Sequence, residues 1–411
     1  LSIVRPFAGL RPPKSLVLEV ACPPYDVVNS KEARAYAAGK SRSFFHISRP
    51  EIDLPGVDEH APEVYQAGVE QMARFRKEGT LVADPSPCFY LYRQKMGAHV
   101  QIGVVAAASA LEYEQGLIKK HELTRADKEE DRTQHIHKLN ANDEPVFLTY
   151  PARASIDAMV TRLSAATPTY DFVTDDQIGH TFWAVSGAAD IAALEAEFRA
   201  VPALYIADGH HRSAAATRVC QLRRKERGAS HTGSEEYNFF LAVIFPHDQM
   251  QILDYNRLVR DLNGLTSEAF RACVAEKFVV TPFPERKPTR LHDFGMYLDG
   301  KWSLLSAKPG SFDAKDPVAS LDVSILQENL LRPVLGIADP RTDKRIDFVG
   351  GIRGMGELEK RVNSGEMKVA FSMFPTRIDQ LMAIADAGQI MPPKSTWFEP
   401  KLRSGLVVHE L

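Results

Sequence analysis

The sequence predicts an α+β fold with mixed sheets, on three observations. Short apolar runs of strand length recur along the chain, a hairpin turn is signalled at Asp299-Gly300, and several runs lead directly into segments with helical spacing. Hairpins argue for antiparallel pairing and strand-to-helix junctions for crossover units, so neither a pure parallel sheet nor an all-helical bundle fits.

The elements follow in order. Paired prolines at Arg11-Pro12-Pro13 and Cys22-Pro23-Pro24-Tyr25-Asp26 keep the opening extended, because the residue before a proline is pushed out of the helical region. Ser30 is placed to cap a helix running from Lys31 toward Gly39. Val64, Val69, Met72 and Phe75 share a face of a second helix, Ala61 to Glu78, which Gly79 ends. After the linker-like Asp84-Pro85-Ser86-Pro87, two strands are expected at Phe89–Tyr92 and Ile102–Ala108, joined through Gly97. Helices Ser155–Leu163 and Ala188–Phe198 flank a strand at Phe182–Val185. The run Ala203–Ala207 reads as a buried strand feeding an alanine-rich helix that ends near Arg227. Beyond a polar loop lie a strand at Phe239–Phe245 and the hairpin Phe294–Leu298/Trp302–Leu305. Helices near Val323–Leu331, Met355–Val362 and Arg377–Ala387 then alternate with strands at Ile346–Val349 and Val369–Phe374. This divides the chain into 1–85, an N-terminal α/β segment contributing to the site, a core at 86–236, and a C-terminal α+β region at 237–411.

The totals bound the function. The chain of 411 residues is 44% hydrophobic and 25% charged, and carries 50 basic against 53 acidic residues for a net charge of −3. That balance gives no overall attraction for nucleic acid phosphates or an anionic bilayer, so neither is an expected partner. Cys22, Cys88, Cys220 and Cys273 form no CxxC pair, which argues against a zinc knuckle or a disulfide framework. The opening residues show no leader pattern and no apolar run is long enough to span a bilayer, so a cytoplasmic location is expected.

Chemistry concentrates at Asp208-Gly209-His210-His211-Arg212. A strand that turns at a glycine into a helix presents unpaired backbone N–H groups carrying partial positive charge, which bind anions. Gly209 supplies the turn, Arg212 offers a planar fork that suits phosphate oxygens, and His210 or His211 can carry a proton. The same residue types also make an ordinary cap and turn. Gly209-His210-His211-Arg212-Ser213-Ala214-Ala215 has the form GxxRxxA and resembles the nucleotide-binding box of the ParB/sulfiredoxin superfamily. His210 stands where sulfiredoxin has its catalytic cysteine, so thiol chemistry is not implied. The free serine kinases of that superfamily carry a similar Asp-Gly-x-His-Arg segment. Pro23-Pro24-Tyr25-Asp26-Val27-Val28, His121-Glu122-x-Thr124, Lys128-Glu129-x-Asp131-Arg132, Asp208–Arg212 and Met391-Pro392-Pro393-Lys394-Ser395-Thr396 together resemble the family called domain of unknown function 1015.

The resemblance implies a ParB/sulfiredoxin-like nucleotide-binding core over 86–236 and phosphoryl transfer from ATP or ADP with Mg2+ to a small hydroxyl metabolite, with L-serine the best acceptor. The alternative is an ATP- or CTP-binding regulatory switch without metabolite turnover. On the kinase reading, Gly209, Arg212, Lys128 and Arg132 hold phosphate, and Lys394, Ser395 and Thr396 either join them or only precede a docking strand at Trp397-Phe398. Asp208, His210 and His211 form the catalytic centre. Glu122 and Asp131 are candidates for the base or for a magnesium contact, since phosphoryl transfer needs cations for the moving group and carboxylates for the metal or hydroxyl proton. His121 to Arg132 also reads as a solvated helix face, capped by Thr124 or Asp127. If the segments cooperate, all must line one pocket.

Overall fold

A computed structural model describes residues 2–411 and divides the chain into two compact units, Leu1–Met250 with Pro400–Leu411, and Gln251–Glu399. Both mix helices with sheet, giving an α+β fold.

The first unit is built on a nine-stranded mixed sheet. Its order is Ile118–Lys119, Leu204–Asp208, Val146–Tyr150, Phe239–Pro246, His99–Ser109, Phe89–Met96, Gly179–Val185 and Tyr170–Val173, with Val4–Arg5 pairing His99–Ser109. Ile118–Lys119 runs parallel to Leu204–Asp208, and Val146–Tyr150 parallel to Phe239–Pro246; the other pairs are antiparallel. The central strands Val146–Tyr150 and Phe239–Pro246 are buried at every position but Phe239, so they read as unbroken apolar runs and not as alternating patterns. Leu204 and Ile206 are fully buried, each gaining about 1.5–3 kcal/mol from removal from water.

The boundary expected near residue 236 falls at Met250. The reason is topological: Phe239–Pro246 lies between Val146–Tyr150 and His99–Ser109, in the middle of the first unit's sheet. The segment up to residue 85 belongs to the same unit, and so does the C-terminus, where His409–Glu410 pairs Ala141–Asn142. Helix positions follow the sequence within a residue or two: Pro62–Lys77, Ala154–Ser164, Ala188–Arg199 and His210–Arg227. The helix expected from Lys31 spans Ser30–Ala37, and its cap is Asn29, not Ser30. Asn29 and Glu32 exchange side-chain and backbone bonds in a capping box.

The second unit carries a six-stranded antiparallel sheet, ordered Phe278–Pro282, Lys301–Ala307, Asp293–Leu298, Val369–Met373, Tyr255–Val259 and Ile346–Gly350. Asp299 and Gly300 turn its hairpin at φ 51° and 75°, the positive pair a two-residue turn requires. The helix expected near Val323–Leu331 is α-helical over Asp322–Leu326 and continues as a π-helical turn through Leu331.

Candidate functional site

The site grows from the end of the strand Leu204–Asp208. Its pairing with Val146–Tyr150 slips between Ile206 and Asp208, a bulge that re-aims the last residue. Gly209 follows at φ 98°, ψ 32°, and the helix His210–Arg227 begins at once. The left-handed φ favours glycine, and a Cβ there would also crowd Arg212 Nε at 3.2 Å. No side chain caps the helix at this end, and the buried Ala214, Ala215 and Ala216 let it pack close to the sheet. Uncapped N–H groups at the start of an 18-residue helix form a site suited to an anion.

One flank is made of histidines. Parallel pairing of Ile118–Lys119 with Leu204–Asp208 carries the residues that follow both strands to the same end of the sheet. His121 therefore meets His210 edge-on, with ring centroids 4.4 Å apart. The His121 backbone N–H donates to His210 Nε2 at 3.5 Å, and Glu122 Oε2 lies 3.7 Å from His210 Nδ1. Burial pushes His121 down to about 4, and burial with the neighbouring histidine pushes His210 well below the ordinary imidazole range. Both rings are neutral near pH 7. His211 Nε2 accepts from the Arg125 N–H at 3.0 Å, tying the loop after His121 to the helix. Burial lowers His211 as well.

The other flank is made of ion pairs. Arg212 is only 6% exposed. It donates to the Pro145 carbonyl and to Asp26 Oδ2 at 3.1 Å, and lies 3.6 Å from Asp208 Oδ1. Asp208 also takes Lys401 Nζ at 2.7 Å. Burial alone would raise the Asp208 carboxyl, but Lys401 and Arg212 outweigh it and hold the group far below the carboxylate range. Glu144, buried behind Arg212, accepts from the Tyr25 N–H at 3.3 Å; burial and the adjacent Asp143 push it up to about 8. Arg49 clamps the Tyr25–Val28 loop through the Tyr25 and Val28 carbonyls, and the Arg132 guanidinium sits 4.4 Å over the Tyr25 ring. A cavity of about 10 Å³ among Arg132, Asp143, Glu144 and Arg212 has room for about one water.

The expected residues divide accordingly. Asp208, Gly209, His210, His211, Arg212 and Glu122 come together. Asp131 and Arg132 are adjacent through Tyr25, but Asp131 is committed to His60 at 3.0 Å, Tyr65 at 2.9 Å and Arg132 at 2.8 Å. Those bonds fix the helix Ala126–Leu139 to Pro62–Lys77, with Lys128 on its exposed face. Neither Thr124 nor Asp127 caps that helix: Thr124 bonds the Glu129 side chain, Asp127 pairs Arg125, and Arg125 stands at the uncapped end. Lys394, Ser395 and Thr396 belong to the second unit. There Ser395 Oγ donates to the Pro392 carbonyl at 2.6 Å, and the Lys394 carbonyl accepts from Arg257 at 2.9 Å, so both residues shape a turn.

Glu144 and Lys401 escaped the sequence reading. Two acids just before Pro145 and the apolar run Val146–Tyr150 were a usable signal for Glu144. Lys401 lies 193 residues from Asp208, with no local pattern to join them.

No curated protein matches the chain. Among solved structures, a free serine kinase in complex with AMP is similar over 74% of this chain and 92% of its own, at 13% identity and a TM-score of 0.34. A conserved hypothetical protein from Pyrococcus furiosus is similar over 74% of this chain and 95% of its own, at 13% identity and a TM-score of 0.33. For a C-terminally truncated SbnI from Staphylococcus aureus the figures are 73% and 85%, at 10% identity and a TM-score of 0.37. The chain matches the family described as "Protein of unknown function (DUF1015)" over residues 4–324, most of its length and across the motifs that line this site, and it belongs to that family.

Proposed function

We propose that the chain transfers a phosphoryl group from ATP or ADP to the hydroxyl of a small metabolite, with L-serine the acceptor to test first. The observation that carries this reading is the uncapped start of the helix His210–Arg227, opened by left-handed Gly209 and flanked by neutral imidazoles and by Glu122. The amides of His210 to Arg212 hold nucleotide phosphate oxygens. The acceptor oxygen attacks the terminal phosphorus as the bond to the leaving phosphate breaks, and its proton passes to Glu122 or to neutral His210. Arg212 orients Asp26 and Asp208 from its buried position, while the exposed Lys128, and the exposed Lys120 whose charge acts on His210, are cations for the developing charge. Arg132 supports the Tyr25 loop. The acceptor assignment rests on the likeness of Asp208–Arg212 to the free serine kinase motif.

Magnesium prefers oxygen donors and keeps several waters. Glu122 and the nucleotide phosphates supply oxygens of that kind, so these would hold it, and the metal would neutralise charge on the transferred group.

A second reading has its own support. Asp208, Arg212, Asp131 and Arg132 are all bound to internal partners, which suits a rigid ATP- or CTP-binding switch that does no chemistry on a metabolite. Incubation of the full chain with L-serine, Mg2+ and ATP or ADP, followed by 31P NMR, separates the two. Phosphoserine is expected on the kinase reading. Stoichiometric nucleotide binding with no phosphoserine would leave the switch standing.

A further inference from the structure

We propose that His121, Glu122 and His210 form a binding site for a divalent transition-metal ion of the zinc class. The inference goes beyond phosphoryl transfer and does not depend on it. One donor atom from each of the three residues lies within 4.8 Å of the other two. Donors of a tetrahedral zinc ion with bonds of about 2.0–2.2 Å stand roughly 3.4 Å apart. The cluster is therefore up to about 1.4 Å too open, and a rotation of the Glu122 side chain, which is 48% exposed, would close it. The two histidines are fixed by packing at 4.4 Å, delivered by separate parallel strands to one end of the sheet.

A second observation points to a ligand. His121 Nδ1 is buried and has no hydrogen-bond partner, whereas the Ile206 carbonyl faces the same ring. A histidine that ligates a metal commonly gives its other N–H to a backbone carbonyl, which fixes the tautomer and directs the free lone pair at the ion. An orphaned imidazole nitrogen in a buried pocket otherwise costs free energy with no return. The His121 N–H to His210 Nε2 contact, long at 3.5 Å, is the interaction that metal binding replaces.

The donor set selects the ion. Two imidazoles with one carboxylate suit zinc and its first-row neighbours, while magnesium and calcium favour sites made of oxygens. Three protein donors leave a position open for water or for an anionic oxygen, and the helix amides beside His210 favour an anion.

The test uses the full chain, stripped of metal with a chelator and then titrated with Zn2+ by calorimetry and with Co2+ by visible absorption. One Zn2+ per chain is expected, along with the intense visible bands of four-coordinate Co2+. Glu122→Gln, at an exposed position, keeps the fold and is expected to weaken Zn2+ binding by at least about 10–100-fold, the loss seen when only a ligand's hydrogen-bond partner is removed. His121→Ala should abolish the Co2+ bands. Zn2+ affinity unchanged in Glu122→Gln, or Co2+ bands that survive His121→Ala, would overturn the assignment. So would the absence of Zn2+ binding in the wild-type chain. The titration contains no nucleotide and so reads the metal site alone: a chain that binds no Zn2+ there, yet forms phosphoserine when separately given L-serine, Mg2+ and ATP or ADP, would sink the metal site and leave the kinase reading intact.

Discussion

The two flanks of the Gly209 turn use neighbouring residues of one motif in opposite ways. On the Arg212 side every charge meets a countercharge: Arg212 with Asp26 and Asp208, and Asp208 with Lys401. On the His210 side the His121 and His210 rings are buried and neutral, with the exposed Glu122 carboxylate beside them. Arg212 Nε and Glu144 Oε2 are buried without hydrogen-bond partners on the first flank, as His121 Nδ1 is on the second, so the flanks differ in how they carry charge and not in completeness. Burial penalises both, but a charged side chain survives it only if paired, whereas an imidazole survives by shedding its proton and keeping a lone pair to offer. The ion-paired flank carries the architecture of the turn, and the neutral one keeps lone pairs to offer a ligand.

The largest expected effect breaks the paired flank. Arg212→Ala removes the cation shared by Asp26 and Asp208. Because Lys401 still holds Asp208 and Asp26 is partly exposed, the loss falls at or below the lower end of the range typical of breaking a fully buried pair, about 3–5 kcal/mol. Urea unfolding should show this loss, and His210→Asn, which strands no charge, should lose much less. Equal losses in the two variants would erase the distinction between the flanks. Arg212→Ala is consequently a poor probe of phosphate binding, because the fold suffers before the ligand does.

Next in size is the turn that both flanks share. Gly209→Ala forces a side chain into a left-handed conformation, at a cost of about 1–2 kcal/mol, and sets its Cβ against the Val146 backbone and Arg212. The free energy of unfolding should fall by that amount. Anion binding should weaken in the same variant, because the turn aims the helix amides. A Gly209→Ala protein with full stability would mean that the turn relaxes elsewhere.

How much of this was legible depended on distance along the chain. The strand, turn and helix from Leu204 to Arg227 were readable because every signal falls within a few residues: an apolar run, a glycine and small helical residues. The flanks were not. Lys401 with Asp208 and Arg212 with Asp26 are joined only by the sheet's crossovers, so no periodicity marks them. Val146–Tyr150 went unread as a strand because it is fully buried and shows no alternation, although Asn142, Asp143 and Pro145 before it and Pro151 after it frame it. Phe89–Met96 outran its expected end at Tyr92 because Arg93, Gln94 and Lys95 look like loop residues. In fact they pair across the hairpin with Ile102, Gln101 and Val100. The helix Ser267–Lys277 was also missed: it buries only Phe270 and Val274 and starts from the side-chain cap of Thr266.

Smallest per pH unit, and the one that separates the flanks most cleanly, is an effect in pH. The folded chain holds Glu144 at about 8, above an unfolded value of 4.5, so between those limits the folded state keeps a proton that the unfolded state has lost. Stability from Glu144 is full below 4.5 and is lost as pH rises toward 8. The histidines act in reverse. His121 sits at about 4 against 6.5 unfolded, and His210 and His211 are lowered too, so the unfolded chain binds the extra protons and stability is lost as pH falls below 6.5. Each proton contributes a slope of about 1.4 kcal/mol per pH unit while it differs between the two states. Above 6.5 only the Glu144 contribution changes, downward. Below 6.5 more than one histidine opposes a single carboxyl, so the net slope turns upward with pH, and this site contributes most near 6.5. Other titrating groups cancel when Glu144→Gln is compared with the wild type by urea unfolding at matched pH. The difference should move across the window from 4.5 to 8 and be flat above it. A difference that does not change with pH would mean that Glu144 ionises normally and that the Arg212 flank is wetter than its burial implies.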